Sequence, residues 1–184
     1  MVIMVGPTGS GKTTTLYAML NLINAPSRNI LTIENPVEYE LPGITQISID
    51  PDQDLDFSKT LRAALRQDPD VILIGEIRDE ETAEIAVKAA LTGHLVLTTL
   101  HSRDALTVIQ RLKNLGISAD LLSETLNLIV SQKLVRRLCR HHRREKNCRN
   151  CRGTGYHGRT PLYEILYLNP VSYTHLRAHE TIRH

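Results

Sequence analysis

Val2-Ile3-Met4-Val5-Gly6-Pro7-Thr8-Gly9-Ser10-Gly11-Lys12-Thr13-Thr14 is the stretch that decides the fold. Its first four residues form an apolar run short enough for a buried strand. A glycine-rich loop follows, and Lys12 to Leu22 then reads as a helix that Asn24-Ala25-Pro26-Ser27 breaks. Gly6 to Thr13 fits the pattern Gly-x-x-x-x-Gly-Lys-(Ser/Thr) in full, and the order strand, loop, helix is the one a phosphate cradle needs. Glycines let backbone N–H groups converge on phosphate oxygens where a side chain would intrude. The start of the helix adds the positive end of its dipole at the same place. Lys12 is expected to reach the β- and γ-phosphates, and the hydroxyl of Thr13 to ligate Mg²⁺. Gly6, Pro7, Thr8, Gly9, Ser10, Gly11, Lys12, Thr13 and Thr14 together form the expected nucleotide-binding set.

Outward from this loop, strand-like and helix-like segments alternate. Asn29 to Ile33, Ile44 to Ile49, Val71 to Ile74 and His94 to Leu100 read as strands. Asp56 or Ser58 caps an expected helix that runs to Arg66, and another spans about Asp79 to Leu91 and stops at Gly93. Two more helices are expected at roughly Asp104 to Leu115 and Ser118 to Leu138, with Gly116 between them. The alternation predicts an α/β fold with a largely parallel sheet. The 184 residues suffice for one domain with a proper core. We divide them into a core over 1–138, a cysteine-bearing segment over 139–170 packed on that core, and a tail over 171–184. The tail holds three of the eight histidines without an apolar period and reads as foreign to the domain, like translated vector or adapter sequence.

Composition narrows the class. Apolar residues make up 41% and charged residues 23%, ordinary values for a globular protein. No apolar run approaches the roughly 20 residues that span a bilayer. The net charge of +2 conceals a basic stretch from Lys133 to Arg159, which suits either a solvated face or an anionic partner. One Phe and no Trp leave little with which to stack bases. All three cysteines lie between 139 and 151, which argues against a disulfide framework and for reduced thiols or a metal in the cytoplasm. Cys139-x₂-His142 and Cys148-x₂-Cys151 make two short clips whose four ligands suit a closed, structural tetrahedral Zn²⁺ site, with His141 as the alternative fourth ligand.

Hydrolysis needs an acid beside the phosphates to orient water. The apolar strand in Asp70-Val71-Ile72-Leu73-Ile74-Gly75-Glu76-Ile77-Arg78 delivers Glu76 at its C-terminal end, where ligands bind in open α/β sheets. Pairing of Glu76 with Arg78 alone is the plainer alternative. Arg62, Arg66 and Arg78 suit either phosphate binding or ion pairs between subunits.

This stretch resembles the signature of the secretion ATPase superfamily, in which Gly-Glu stands where other P-loop enzymes carry Asp-Glu. Ile33-Glu34-Asn35-Pro36-Val37-Glu38 resembles that family's acidic box, with Asn35 in place of an acid, and Gly93-His94-Leu95-Val96-Leu97-Thr98-Thr99-Leu100-His101 resembles its histidine box. The clips followed by Gly155-Tyr156-His157-Gly158-Arg159 are similar to the type II secretion and type IV pilus assembly branch, although one cysteine is replaced by histidine and the spacer is short. The resemblance covers about Val2 to Leu168 and implies a RecA-like core that hydrolyses ATP with Mg²⁺. It makes Glu76 the residue that positions or activates water, with Glu38 its rival, and it adds Lys12, His94 and His101 to the catalytic set. It also implies a homo-hexamer with ATP between subunits, to which an N-terminal domain contributes arginines. The expected partner is an inner-membrane platform protein reached from the cytoplasmic face, without direct nucleic-acid binding.

The same motifs suit other jobs. Pilus retraction, DNA uptake and conjugative secretion share the nucleotide motifs. A nucleic-acid translocase and a nucleotide-binding module without turnover are readings from different classes.

Overall fold

A computed structural model describes residues 1–50, 56–141 and 148–168. Strand β1 (Val2–Val5) lies near the middle of the sheet because all four of its residues are buried, so both of its faces must be covered. Helix α1 (Lys12–Ile23), strands β2 (Ile30–Glu34) and β3 (Thr45–Ser48), helix α2 (Phe57–Leu65), strand β4 (Val71–Ile74), helix α3 (Glu80–Leu91) and strand β5 (Leu95–Leu100) follow in the alternation that the sequence predicts. Helices α4 (Ala105–Asn114) and α5 (Ala119–Thr125) then lead to strands β6 (Leu128–Leu138) and β7 (Tyr156–Tyr167). The seven strands form one sheet in the order β3-β2-β4-β5-β1-β6-β7. Among the described residues, only the β6–β7 pairing is antiparallel.

Two apolar layers sandwich this sheet. Ile3, Val5, Ile33, Ile72 and Ile74 face α2 to α5, while Val2, Met4, Ile30, Val71 and Leu73 alternate to the other face with Leu16, Tyr17 and Leu20 of α1. Four helices start on a side-chain cap: Asp56 accepts from the Lys59 N–H, Asp79 from Thr82, Asp104 from Thr107 and Ser118 from Leu121. No helix of the described residues is long and apolar enough to cross a membrane.

One element departs from expectation. The single helix expected from Ser118 to Leu138 is instead a short helix ending at Thr125, followed by the eleven-residue β6. Apolar residues at 121, 122, 126, 129 and 130 satisfy helical spacing, but Leu128-Ile129-Val130 is also a fit for a strand buried on both faces. Pairing with β1 on one side and β7 on the other decides in favour of the strand. That pairing also makes the segment after the cysteines the edge strand of the core sheet. The expected tail over 171–184 lies outside the described residues.

Asp79→Ala removes the cap of α3 and is expected to cost about 1 kcal/mol of stability, read from denaturant unfolding. A loss within a few tenths of a kcal/mol would mean that the first turn of α3 does not depend on this carboxylate.

Candidate nucleotide site

The C-terminal ends of β1, β2, β4 and β5 open onto one cleft of ≈ 480 Å³, whose lining includes Thr8, Gly9, Gly11, Lys12, Thr13 and Thr14 of the loop and first helical turn. Helix α1 differs from the capped helices: its N-cap is Gly11, at φ 85°, and no side chain caps it. The orphan N–H groups of its first turn are left for a ligand to satisfy, which suits phosphate oxygens and the positive end of the helix dipole. Gly6 shows why this loop must be glycine at its start. With φ +141°, a Cβ there would sit 2.2 Å from the Gln132 carbonyl oxygen of β6. Lys12 Nζ donates to the carbonyls of Gly6 (2.9 Å) and Pro7 (3.1 Å). Burial lowers its pKa, and the nearby Glu76 carboxylate opposes that. This cradle and cation fit a polyphosphate.

Glu76 faces the loop from the end of β4. Its carboxylate pairs with the Arg78 guanidinium, and His101 Nε2 lies 3.3 Å from its other oxygen. Burial pushes the Glu76 pKa up, but Arg78 and His101 outweigh it and hold the group below the usual carboxylate range. Glu76 is therefore an ionised group suited to orienting water more than to storing a proton. The Arg78 pairing named as the plainer alternative is present, in the same geometry that presents Glu76 to the cleft. Glu38 also lines the cleft, on an exposed loop whose Glu38 N–H donates to the Tyr17 hydroxyl at 3.4 Å.

Glu34, at the end of β2, is 4% exposed and committed to structure. It accepts from the hydroxyls of Tyr17 (2.5 Å) and Thr32 (2.6 Å) and from the Gln46 amide (3.3 Å). Burial, helped by Glu34, raises the Tyr17 pKa far above its ordinary value, so the phenol stays a donor. Asn35 lines the cleft beside it.

Not every expected residue converges. His94 stands just before β5, at the end of the strand opposite His101, and the six residues of β5 between them span roughly 20 Å. Its Nδ1 lies 3.1 Å from the Thr92 hydroxyl and 2.9 Å from the Ala89 carbonyl, at the end of α3. The structure thus brings His101 to the cleft and leaves His94 at a helix terminus. Arg62 pairs with Glu81 at 2.5 Å, and Arg66 is the C-cap of α2.

Sequence reasoning gave no site role to Phe57 and Thr99, nor to Leu134 and Arg159, which enter the cleft from β6 and β7. The ladder to β1 ends at Val5–Ser131, so beyond Ser131 the β6–β7 hairpin overhangs the loop. Near its tip, the Sγ atoms of Cys139, Cys148 and Cys151 lie within 4.8 Å of one another, all buried. Cys139 and Cys148 are 3.7 Å apart, against the about 3.8 Å that Zn–S bonds of about 2.3 Å give in a tetrahedron. Backbone N–H groups, that of Cys151 first, lower the Cys148 pKa. The trio fits a thiolate-binding metal such as Zn²⁺. His141 is exposed and does not join the cluster, and His142 lies outside the described residues.

Comparison with known proteins agrees with this geometry. The family described as "Type II/IV secretion system protein" matches residues 1–183. The chain belongs to this family. It is 52% identical over 176 residues to the type II secretion system protein HxcR of Pseudomonas aeruginosa, covering 92% of this chain and 38% of that protein. It is 45% identical over 196 residues to the type IV pilus assembly ATPase PilB of the same species, covering 92% of this chain and 34% of that one. Among solved structures, the pilus retraction motor PilT with bound ADP matches with a TM-score of 0.80 and 37% identity, covering 97% of this chain and 50% of that chain. The chain thus spans well under half the length of the two secretion and pilus-assembly relatives. The fold is the RecA-like core of the secretion ATPases.

Gly6→Ala is expected to abolish binding of a fluorescent ATP analogue, because the loop must shift away from the Gln132 carbonyl to admit a Cβ. Undiminished binding would show that the loop relocates at no cost.

Proposed function

We propose that the chain is the nucleotide-hydrolysing core of an ATPase that powers type II protein secretion or type IV pilus assembly. The observation that carries this is the convergence on one cleft of an uncapped helix N-terminus, Lys12 and Thr13 with an ionised Glu76 held by Arg78 and His101. The names of the relatives supply the biological setting.

In this reading the loop N–H groups and Lys12 bind the phosphates, and Thr13 would hold Mg²⁺, which neutralises charge developing on them. Glu76 orients the attacking water, His101 fixes the carboxylate, and Glu38 lines the same cleft from the loop after the neighbouring β2. Little covalent chemistry falls to the protein, so positioning and electrostatics carry the rate. Arg159 adds positive charge from the overhanging hairpin. The full-length protein would act as a homo-hexamer at the cytoplasmic face of the inner membrane, against a platform protein. Cys139, Cys148 and Cys151 would hold a structural Zn²⁺ with His142 as fourth ligand, making 139–170 the clip-bearing segment whose β7 joins the sheet of the 1–138 core. Neither role requires nucleic acid.

Glu76→Gln in the full-length protein is expected to lower Mg²⁺-ATP turnover by about 100-fold or more while ATP binding persists. Equal turnover in both proteins would transfer the water-orienting role to Glu38. Elemental analysis should find about one zinc per chain, absent from a Cys148→Ser variant. Metal-free protein that keeps its thermal midpoint would sink the clip.

A further inference from the structure

Gln132 lies on β6, one residue past the last β6 residue paired with β1, and is 2% exposed. Its Nε2 donates to the Ser10 carbonyl at 2.7 Å, and its Oε1 accepts from the Thr15 hydroxyl at 2.8 Å. One amide therefore ties the middle of the phosphate loop to the first turn of α1. An amide can serve both partners in one orientation only, and burial makes either bond costly to leave unmade. The same residue abuts the loop at two more points. Its main-chain carbonyl closes the space beside Gly6, and its Nε2 lies 3.0 Å from where a Gly11 Cβ would be. Gln132 is absent from the cleft lining, so whatever it does for a ligand it does through the loop.

We propose that Gln132 is a positioning residue that fixes the direction of the Ser10–Gly11 peptide, and with it the phosphate-binding face of the loop. In a trans peptide the carbonyl and the following N–H point in opposite directions. Holding the Ser10 carbonyl against β6 therefore turns the Gly11 N–H away from β6. A flipped peptide would exchange a donor for a carbonyl oxygen that repels phosphate. Because Gln132 belongs to the overhanging hairpin, the loop's donors are set by the strand that also carries Leu134 toward the cleft. The proposal rests on the nucleotide-binding reading above and adds a residue to it.

The test compares Mg²⁺-ATP affinity with thermal stability for the intact chain and four variants. Gln132→Met keeps the side chain's approximate length and removes both bonds without burying a charge. It is expected to weaken Mg²⁺-ATP binding about tenfold while the chain remains folded. Gln132→Glu is expected to bind weakly at pH 8 and to regain affinity toward pH 5.5, as a protonated carboxyl again donates to Ser10, whereas the wild type gains nothing. Thr15→Val leaves Gln132 in place but frees its amide to turn, and is expected to weaken binding about threefold. A folded Gln132→Met variant with wild-type affinity overturns the proposal, and so does an unaffected Thr15→Val, which decides the matter if Gln132→Met fails to fold. Lys12→Ala separates the two readings: if it abolishes binding while the Gln132 variants bind normally, only this proposal falls. A wild-type chain that binds no Mg²⁺-ATP removes both.

Discussion

The uncapped first turn of α1 is the constraint on which the other parts of the site depend. Helices α2, α3, α4 and α5 each spend a side chain on their orphan N–H groups, at the modest cost of one Asp or Ser. Helix α1 has Gly11 instead, and its donors stay available. Such a terminus is tolerated only where water or an anion can reach it, so it must lie at the open edge of the sheet. β1 provides that position. It is paired with β5 and β6 along its edges and covered by apolar layers on both faces, and it delivers the chain to the C-terminal edge, where β2, β4 and β5 also end. Glu76 and His101 arrive at the same edge through the topology, with no contact in sequence to the loop.

Charges in this cleft are paired in sequence. Lys12 rests on two carbonyls of its own loop, partly desolvated, with Glu76 as its counter-charge. Glu76 in turn is held by Arg78 and His101. An arriving polyphosphate offers Lys12 stronger acceptors than neutral carbonyls, so the cation can leave the loop without losing hydrogen bonds. The carboxylate, kept ionised by two cationic or donor neighbours, cannot approach the phosphates closely without repulsion. In the function proposed above, it would hold a water between itself and them.

Much of this was legible because it is local. The loop, α1, β4 and the Asp56 and Asp79 helix starts each carry their cause within a few residues. The failures share a different cause. The stretch from 118 to 138 satisfies helical spacing, and only its long-range pairings with β1 and β7 make it a strand. Mistaking it hid Gln132 and Leu134, whose roles exist only because β6 lies beside the loop. Arg159 sits in a motif to which the sequence alone assigns no role, since its place in the cleft depends on β7 pairing back onto β6. His94, by contrast, entered the expected set through the family resemblance, together with His101. Strand geometry separates them, since β5 runs its full length between the two rings.

The overhanging hairpin connects the two chemically distinctive parts of the chain. At its base it is fixed by the β1 ladder, which ends at Ser131, and by the Gln132 amide bonds to Ser10 and Thr15. At its tip the three sulfurs cluster, and the Cys139 N–H donates to the Gly155 carbonyl at 2.8 Å, closing the loop between the strands. Arg136 stacks over Tyr156 at 4.6 Å just below that closure. Leu134 and Arg159 lie between these anchors, which is why a two-stranded ribbon, marginal when isolated, can hold them over the loop. The sulfur cluster and the two cleft-lining residues thus lie at successive points along one ribbon that is tied at both ends.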